Sequence, residues 1–459
     1  MRAIGKILST SGKFAAKTIA NSLTSNPVKE PPNAEVLPPV VSRLTLNRDI
    51  DVHGFIFGKQ QGQTIAKDEQ ADGHVMVVGG VGSGKSSCIA IPTLLAWNER
   101  FFAVDIKGEL SDKITDMSID RLKNIKIFGP SIICDERLGY NPFYLLAEAD
   151  NQAQEAKAIA NALIPLPSSA KEPFWIQSAQ NLFSGAILHF FNLGFSFIEM
   201  IEKILSTKIS VLVEEISTSE TREAAFFVNS FADMELKTLS SIFAELSNNI
   251  MVFVTDKDIR NALSQKQTIS PEDLEMGYDI FLQIPEHLLR QWKNLLTLIV
   301  SQFLTHFEKR EERSATPILF LLDEFARLGK MEGIVDGLAT LRSKKITICI
   351  ILQSLAQLDL IYGKESRQVI ADTCQYKAIL SATDAESQEY FSKLVGTYEK
   401  YKVINSQQFE RFTNFKAGTS ITQTTEEKAR IKPEEFATLE QIVLFSPFGV
   451  FKIDKAPYY

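Results

Sequence analysis

An α/β fold with a mainly parallel sheet, interrupted by an all-α insertion, is predicted by three observations. First, a glycine-rich G-x-x-x-x-G-K-[ST] element, Gly79 to Ser86, stands between an apolar run, Val75 to Val78, and a helix-like stretch. Second, from Asp279 onward strand-length apolar runs alternate with amphipathic helical stretches. Third, between about 150 and 263 apolar residues recur at i, i+3 and i+4 with few strand signals.

The expected organisation follows in chain order. Residues 1–26 place Ile4, Ile7, Leu8, Phe14, Ile19 and Leu23 at roughly helical spacing with lysines between them, a basic amphipathic segment. Such a segment suits an anionic membrane surface or a partner protein, or packs on its own domain. Residues 27–45 are proline-rich and read as an extended linker. Residues 46–150 hold the first part of a nucleotide-binding domain: a short strand at Gly54–Lys59, the Val75 strand, a helix that Pro92 kinks or shortens, and strands at Phe101–Asp105 and Ile125–Phe128. Residues 151–263 form the inserted all-α domain, with Phe174, Trp175, Phe183 and Phe190 expected in its core rather than on a base-stacking surface. Residues 264–459 return to the nucleotide-binding domain. Strands are expected at Asp279–Ile284, Pro317–Leu322, Ile346–Leu352 and Lys377–Ala382, then a terminal pair, QIVLFS and GVFKI. The whole reads as a RecA-like P-loop nucleotide-binding domain with a mainly parallel sheet, plus the insertion.

The glycine-rich element carries the chemistry. Gly79, Gly80, Gly82 and Gly84 lack a Cβ, so the backbone of Gly79-Gly80-Val81-Gly82-Ser83-Gly84-Lys85-Ser86-Ser87 can bring its N–H groups against phosphate oxygens. The following helix points its positive end at the same phosphates. Lys85 reaches the β- and γ-phosphates, and the Ser86 hydroxyl ligates Mg²⁺. ATP and Mg²⁺ are the cofactors expected. The apolar run PILFLL delivers Asp323 and Glu324 at its tip, a Walker B pattern. Asp323 suits Mg²⁺, directly or through water, and Glu324 suits the general base that polarises the attacking water. Gln353, at the end of the next apolar run, suits a γ-phosphate sensor or a helix cap. Charge stabilisation in the transition state is often supplied by an arginine of a neighbouring subunit, and Arg327 and Arg342 read as candidates for it or as surface salt-bridge partners. Arg342, Lys344 and Lys345 form a small basic cluster that reads as a solvated face or a DNA-facing loop.

Composition narrows the field. The 459 residues are 45% hydrophobic and 23% charged, ordinary for globular domains, and the net charge of −7 does not announce a nucleic-acid binder. Cys88, Cys134, Cys349 and Cys374 form no C-x-x-C pair and read as buried free thiols in a reducing cytoplasm. No run approaches the ~18 apolar residues of a membrane span, so the chain reads as soluble.

Taken together, the motif blocks resemble the coupling proteins of conjugation and type IV secretion, the TraG/TraD-type ATPases. The similarity runs from about Gly54 to the end. It rests on HVMVVGGVGSGK with IPTLL and VDIKGE, on YNPF at 140–143, on the FW…A…LF pattern at 174–183, on LLDEFARLGKME followed by IILQSLAQLDLIYGK, on KPEEFATL and on KAPYY. The resemblance implies a ring, usually hexameric, at the inner face of the cytoplasmic membrane. It implies ATP hydrolysis that drives single-stranded DNA with its bound relaxase, or protein substrates, into type IV secretion channel proteins. Family nucleotide roles map onto Gly84, Lys85, Ser86, Asp323, Glu324 and Gln353. Typical members carry N-terminal transmembrane helices. Here the expectation is peripheral attachment through residues 1–25, to lipid or to a membrane protein. Two other readings compete: a soluble FtsK-like motor on double-stranded DNA, and a nucleotide-gated recruitment platform without translocation.

Overall fold

The computed structural model describes residues 45–47, 53–118, 124–130, 138–167, 170–312, 316–331, 333–409 and 416–459. The expectations for residues 1–26 and 27–45 therefore lie outside the described residues, apart from Thr45. So does Cys134. Two compact units are present. One spans Pro39–Gln388 and Phe436–Tyr459, and the described residues of the other fall within Glu389–Glu435.

The first unit is built on a twelve-stranded sheet. Its strands are β1 (Thr45–Asn47), β2 (Phe55–Gln60), β3 (Gln63–Lys67), β4 (Val75–Val78), β5 (Arg100–Asp105), β6 (Ile125–Phe128), β7 (Asp279–Gln283), β8 (Ile318–Leu322), β9 (Ile346–Leu352) and β10 (Tyr376–Ile379), followed after the second unit by β13 (Gln441–Ser446) and β14 (Gly449–Asp454). The strand order is β1-β3-β2-β14-β13-β10-β4-β9-β8-β5-β7-β6. From β10 to β6 every pairing is parallel. From β10 outward to β1 every pairing is antiparallel. Of the parallel strands, β4 and β8 are uninterrupted apolar runs and β9 is broken only by Thr347, as suits strands covered on both faces. All of β4, β8 and β9 is buried.

One face is sealed by the helix Leu289–Glu308, whose Phe303 ring lies 4.6 Å from Phe102 and whose Phe307 lies 5.9 Å from Phe320. The opposite face buries Ile89, Leu94, Trp97 and Leu110 with Phe101 and Ile351. Burying side chains of this size gives roughly 1.5–3 kcal/mol each, which is what holds the strand tips in fixed register. The terminal pair, β13 and β14, forms as expected. The β1–β3 ribbon extends an edge for which the sequence predicts one strand, Gly54–Lys59.

Between β6 and β7 the described chain is helical, from Tyr144–Glu148 through Pro173–Asn192 and Leu236–Ile250 to Pro271–Glu275. Phe183 and Phe190 are fully buried, as expected, but Phe174 is 47% exposed and Trp175 is half-buried. This corrects the expectation for that aromatic set. Within the helix Pro173–Asn192, Phe190 is seven residues from Phe183 and shares its face. Phe174 is nine residues away, about 180° around a helix advancing ~100° per residue.

The second unit is organised on a hairpin absent from the sequence reading: β11 (Thr397–Phe409) and β12 (Lys416–Ala429), antiparallel from Thr397↔Ala429 to Phe409↔Lys416. At its base, Arg430 N–H donates to Gly396 O at 3.0 Å and Ser392 Oγ donates to Ile431 O at 2.6 Å.

Candidate nucleotide site

The loop after β4 lies at the C-terminal edge of the parallel strands, between the ends of β9 and β10. Gly79 N–H donates to Leu352 O at 3.0 Å and Gly80 N–H to Ser381 Oγ at 2.9 Å, pinning the loop to both neighbours. Gly84 holds φ at 100°, which a side chain would strain, and a Cβ on Gly79 would come within 2.3 Å of Ser83 Oγ. Ser83 Oγ is buried without a hydrogen-bond partner among the described residues. Lys85 Nζ donates to Gly79 O at 2.7 Å and Gly80 O at 3.0 Å. Burial pulls the Lys85 pKa down, while Glu324 and Asp323 raise it.

The residues after the loop do not begin as an α-helix. Lys85–Ala90 is a π-helical turn, and an α-helix, Ile91–Ala96, takes over with Pro92 in its first turn. The helical backbone is continuous there, with Ile91 N–H bonded to Ser86 O, so proline at 92 withholds the next such bond and leaves the Ser87 carbonyl free. The Ser87 carbonyl accepts from Tyr458 N–H at 3.0 Å, tying the terminal segment to the loop helix. A cavity of about 440 Å³ opens beside the loop, with Gly80, Val81, Ser83, Gln353, Thr383 and Thr438 in its lining.

The tip of β8 brings the acids. Asp323 and Glu324 are each only 5% exposed. Glu324 sits at φ 49°, a left-handed conformation uncommon for a side-chain-bearing residue, and its N–H donates to Asp323 Oδ1 at 2.9 Å. Burial, with the neighbouring Glu324, pushes the Asp323 pKa up to about 6, against the pull of Lys107 and Lys85. Gln353 Nε2 donates to both Glu324 oxygens, at 3.2 and 3.0 Å. Lys107 Nζ lies 3.7 Å from Glu324 Oε1, and Arg327 Nε lies 4.0 Å from Oε2 while its other end pairs with Glu286.

The structure thus gathers Lys85, Asp323, Glu324, Gln353 and Arg327 at one edge. It does not bring Arg342 there. Arg342, Lys344 and Lys345 precede β9 at its opposite end from Gln353, where Lys345 Nζ pairs with Asp72 Oδ1 at 3.1 Å. A seven-residue strand spans roughly 20 Å. Sequence reading missed Lys107 and Ser381. Both follow strands that the sheet sets beside β8 and β4, and the VDIKGE block was the signal for Lys107.

A glycine-cradled anion loop facing a buried acid pair, on a RecA-like sheet, defines a P-loop nucleotide-binding protein. The chain belongs to the type IV secretory system conjugative DNA transfer family, whose model matches residues 40–459. It is 27% identical over 433 residues to the protein VirD4 of Rhizobium radiobacter, covering 90% of this chain and 61% of that protein. It is 23% identical to the conjugal transfer protein TraG of Rhizobium radiobacter, covering 81% and 60%. The chain therefore spans about three-fifths of these relatives' length. Among solved structures it is similar to the unbound bacterial conjugative coupling protein TrwBdeltaN70, with a TM-score of 0.67 at 18% identity over 89% of both chains. It is similar also to the plasmid coupling protein TrwB in complex with ADP and Mg²⁺, with a TM-score of 0.67 at 17% identity over 90% of both chains. Among the described residues, no helix is long and apolar enough to cross a membrane.

Proposed function

We propose that this chain is the ATP-hydrolysing coupling protein of a conjugative type IV secretion system, recruiting relaxase-bound single-stranded DNA, protein, or both, and driving it into the channel. The observation that carries the reading is the Glu324 carboxylate held by the Gln353 amide beside buried Asp323, facing a loop built for phosphate. The residues fit ATP and Mg²⁺: Ser83 Oγ is an unpartnered polar atom in the glycine cradle, and an oxygen donor set of Ser86 and Asp323 suits a hard cation. Gly79 to Ser87 hold the phosphates, Lys85 neutralises them, and Glu324 takes the proton of the attacking water. Mg²⁺, when bound, supplies charge neutralisation across the transferring phosphoryl group. Gln353 couples the nucleotide to Glu324, and Arg327 steadies Glu324 or serves a neighbouring subunit.

The helical region, taken as residues 151–263, is the inserted domain and meets substrate complexes. The active form is a homo-oligomer, a hexamer, set at the inner face of the cytoplasmic membrane through residues 1–25. The test is ATPase activity and oligomer size, with and without single-stranded and double-stranded DNA at one fixed salt concentration. Stimulation by single-stranded DNA with growth in oligomer size supports the reading. Stimulation confined to double-stranded DNA would favour an FtsK-like motor. Slow, unstimulated hydrolysis by a monomer would favour a recruitment platform.

A further inference from the structure

The turn after β5 has its backbone pinned on both sides of Lys107. Asp105, buried at the strand end, accepts through Oδ2 from Ser111 N–H at 2.8 Å and Ser111 Oγ at 2.7 Å. Its carbonyl accepts from Ile284 N–H at 3.1 Å, which ties the turn to the end of β7. Gly108 turns at φ 75° against the Gln283 amide, where a Cβ would lie 2.9 Å from Nε2. Because β5 pairs in parallel with β8, Val104 opposite Leu322, this turn stands beside the turn that carries Asp323 and Glu324. Lys107 is the residue it presents. Its ammonium reaches Glu324 Oε1 at 3.7 Å, and no other ion pair of Lys107 occurs among the described residues. Arg327 approaches Glu324 more distantly and is engaged by Glu286. Gln353 spans both carboxylate oxygens but carries no charge.

We propose that Lys107 is a positioning residue for ATP hydrolysis, holding Glu324 by its Oε1 so that the carboxylate meets the attacking water in a fixed orientation. The proposal rests on Glu324 as the water-activating base. An oriented carboxylate lowers the barrier without tightening ground-state nucleotide binding, so the effect falls on kcat and not on KM. Lys107 is half exposed at the rim, so its loss leaves the fold in place.

The test compares Lys107→Ala, Lys107→Arg, Glu324→Gln and the Lys107→Ala/Glu324→Gln double variant in the full chain. Two readouts are taken: steady-state ATP hydrolysis, and the affinities for ADP and for ADP with aluminium fluoride, a mimic of the transferring phosphoryl group. Lys107→Ala is expected to lower kcat by about 10- to 100-fold with KM unchanged. It should weaken the aluminium fluoride complex by about tenfold while ADP affinity holds. Lys107→Arg recovers part of the loss, and the double variant hydrolyses no more slowly than Glu324→Gln alone, since the two act as one unit. Full kcat and full analogue affinity in Lys107→Ala, beside a dead Glu324→Gln, would overturn the role of Lys107 and leave the proposed function standing. Loss confined to KM and ADP affinity would overturn it as well, marking Lys107 as a nucleotide ligand. Hydrolysis surviving in Glu324→Gln would overturn the base assignment beneath both.

Discussion

Near the start of β4 and β9, Lys67 and His74 are as buried as Asp323 and Glu324 at the other ends of the parallel strands. The difference lies in what they meet. Lys67 Nζ donates to Thr347 Oγ1 at 3.1 Å. His74 Nδ1 accepts from Ile348 N–H at 3.0 Å, so its Nε2 carries the proton donated to Leu338 O at 2.8 Å. Lys67 Nζ also donates to Asp68 O at 3.4 Å, so both groups are engaged by neighbours within the fold. At the far edge two acids share one strand tip, Glu324 is backbone-strained, and the surrounding cations sit at 3.7 Å or more. Burial of an ionisable group does not by itself mark a site. Convergence of like charge on an open loop does.

The comparison predicts opposite results at the two edges. The largest effect is expected for Lys85→Ala, which should reduce ATP hydrolysis by about 10²-fold or more with an unfolding midpoint close to that of the native chain. A hydrolysis assay paired with thermal unfolding checks this, and full activity would break the comparison at once. At the opposite edge, His74 makes stability pH-dependent. Burial, with Lys67 and Arg342 nearby, pulls its pKa down to about 4 from an ordinary value near 6.5. The unfolded chain then binds the proton more readily. Stability from this group is present above pH ~6.5, falls as pH drops through that value, and is fully lost below ~4, amounting to at most roughly 3 kcal/mol. Denaturant titrations between pH 4 and 7 should show the slope, and His74→Gln should flatten it.

Lys67 is shifted in the same direction as His74, but here replacing the residue is expected to bring a gain in stability. Burial pulls its pKa down to about 8, so holding it charged at pH 7 opposes folding. Lys67→Met keeps the volume without the charge and should stabilise by roughly 1 kcal/mol with nucleotide affinity unchanged. A nucleotide-affinity loss in that variant would show that the two edges are coupled. The smallest effect belongs to Lys345→Ala, which removes a pair to the exposed Asp72 and a hydrogen bond to Gln70 O at 2.9 Å and should cost about 0.5–1 kcal/mol in an unfolding titration.

How much was legible in the sequence follows from the same physics. The runs Ile346–Leu352 and Gln441–Ser446 read as strands because they are apolar and of strand length, and the structure gives both with those bounds. The phosphate loop and the Asp323–Glu324 tip were legible because their chemistry fixes local spacing. The hairpin was not. Its strands read TYEKYKVINSQQF and KAGTSITQTTEEKA, with polar residues interrupting both alternating sets of positions, so no apolar period of two marks them. Phe174 departs from the expected core because it lies on the opposite side of its helix from Phe183, although the segment as a whole has helical apolar spacing. The Lys107–Glu324 pair depends on β5 lying next to β8, a neighbour relation spanning more than 200 residues that no local pattern carries.

The central claim, that the strained acid at the β8 tip exists for hydrolysis and not for the fold, is tested most directly by Glu324→Gln. ATP binding, single-turnover hydrolysis and thermal unfolding would be measured on the same preparation. The account predicts ATP affinity kept, hydrolysis lost by about 10²-fold or more, and stability equal or higher, because one of two adjacent buried charges is removed. A variant that hydrolyses ATP at the native rate, or one that unfolds while losing activity, would contradict it.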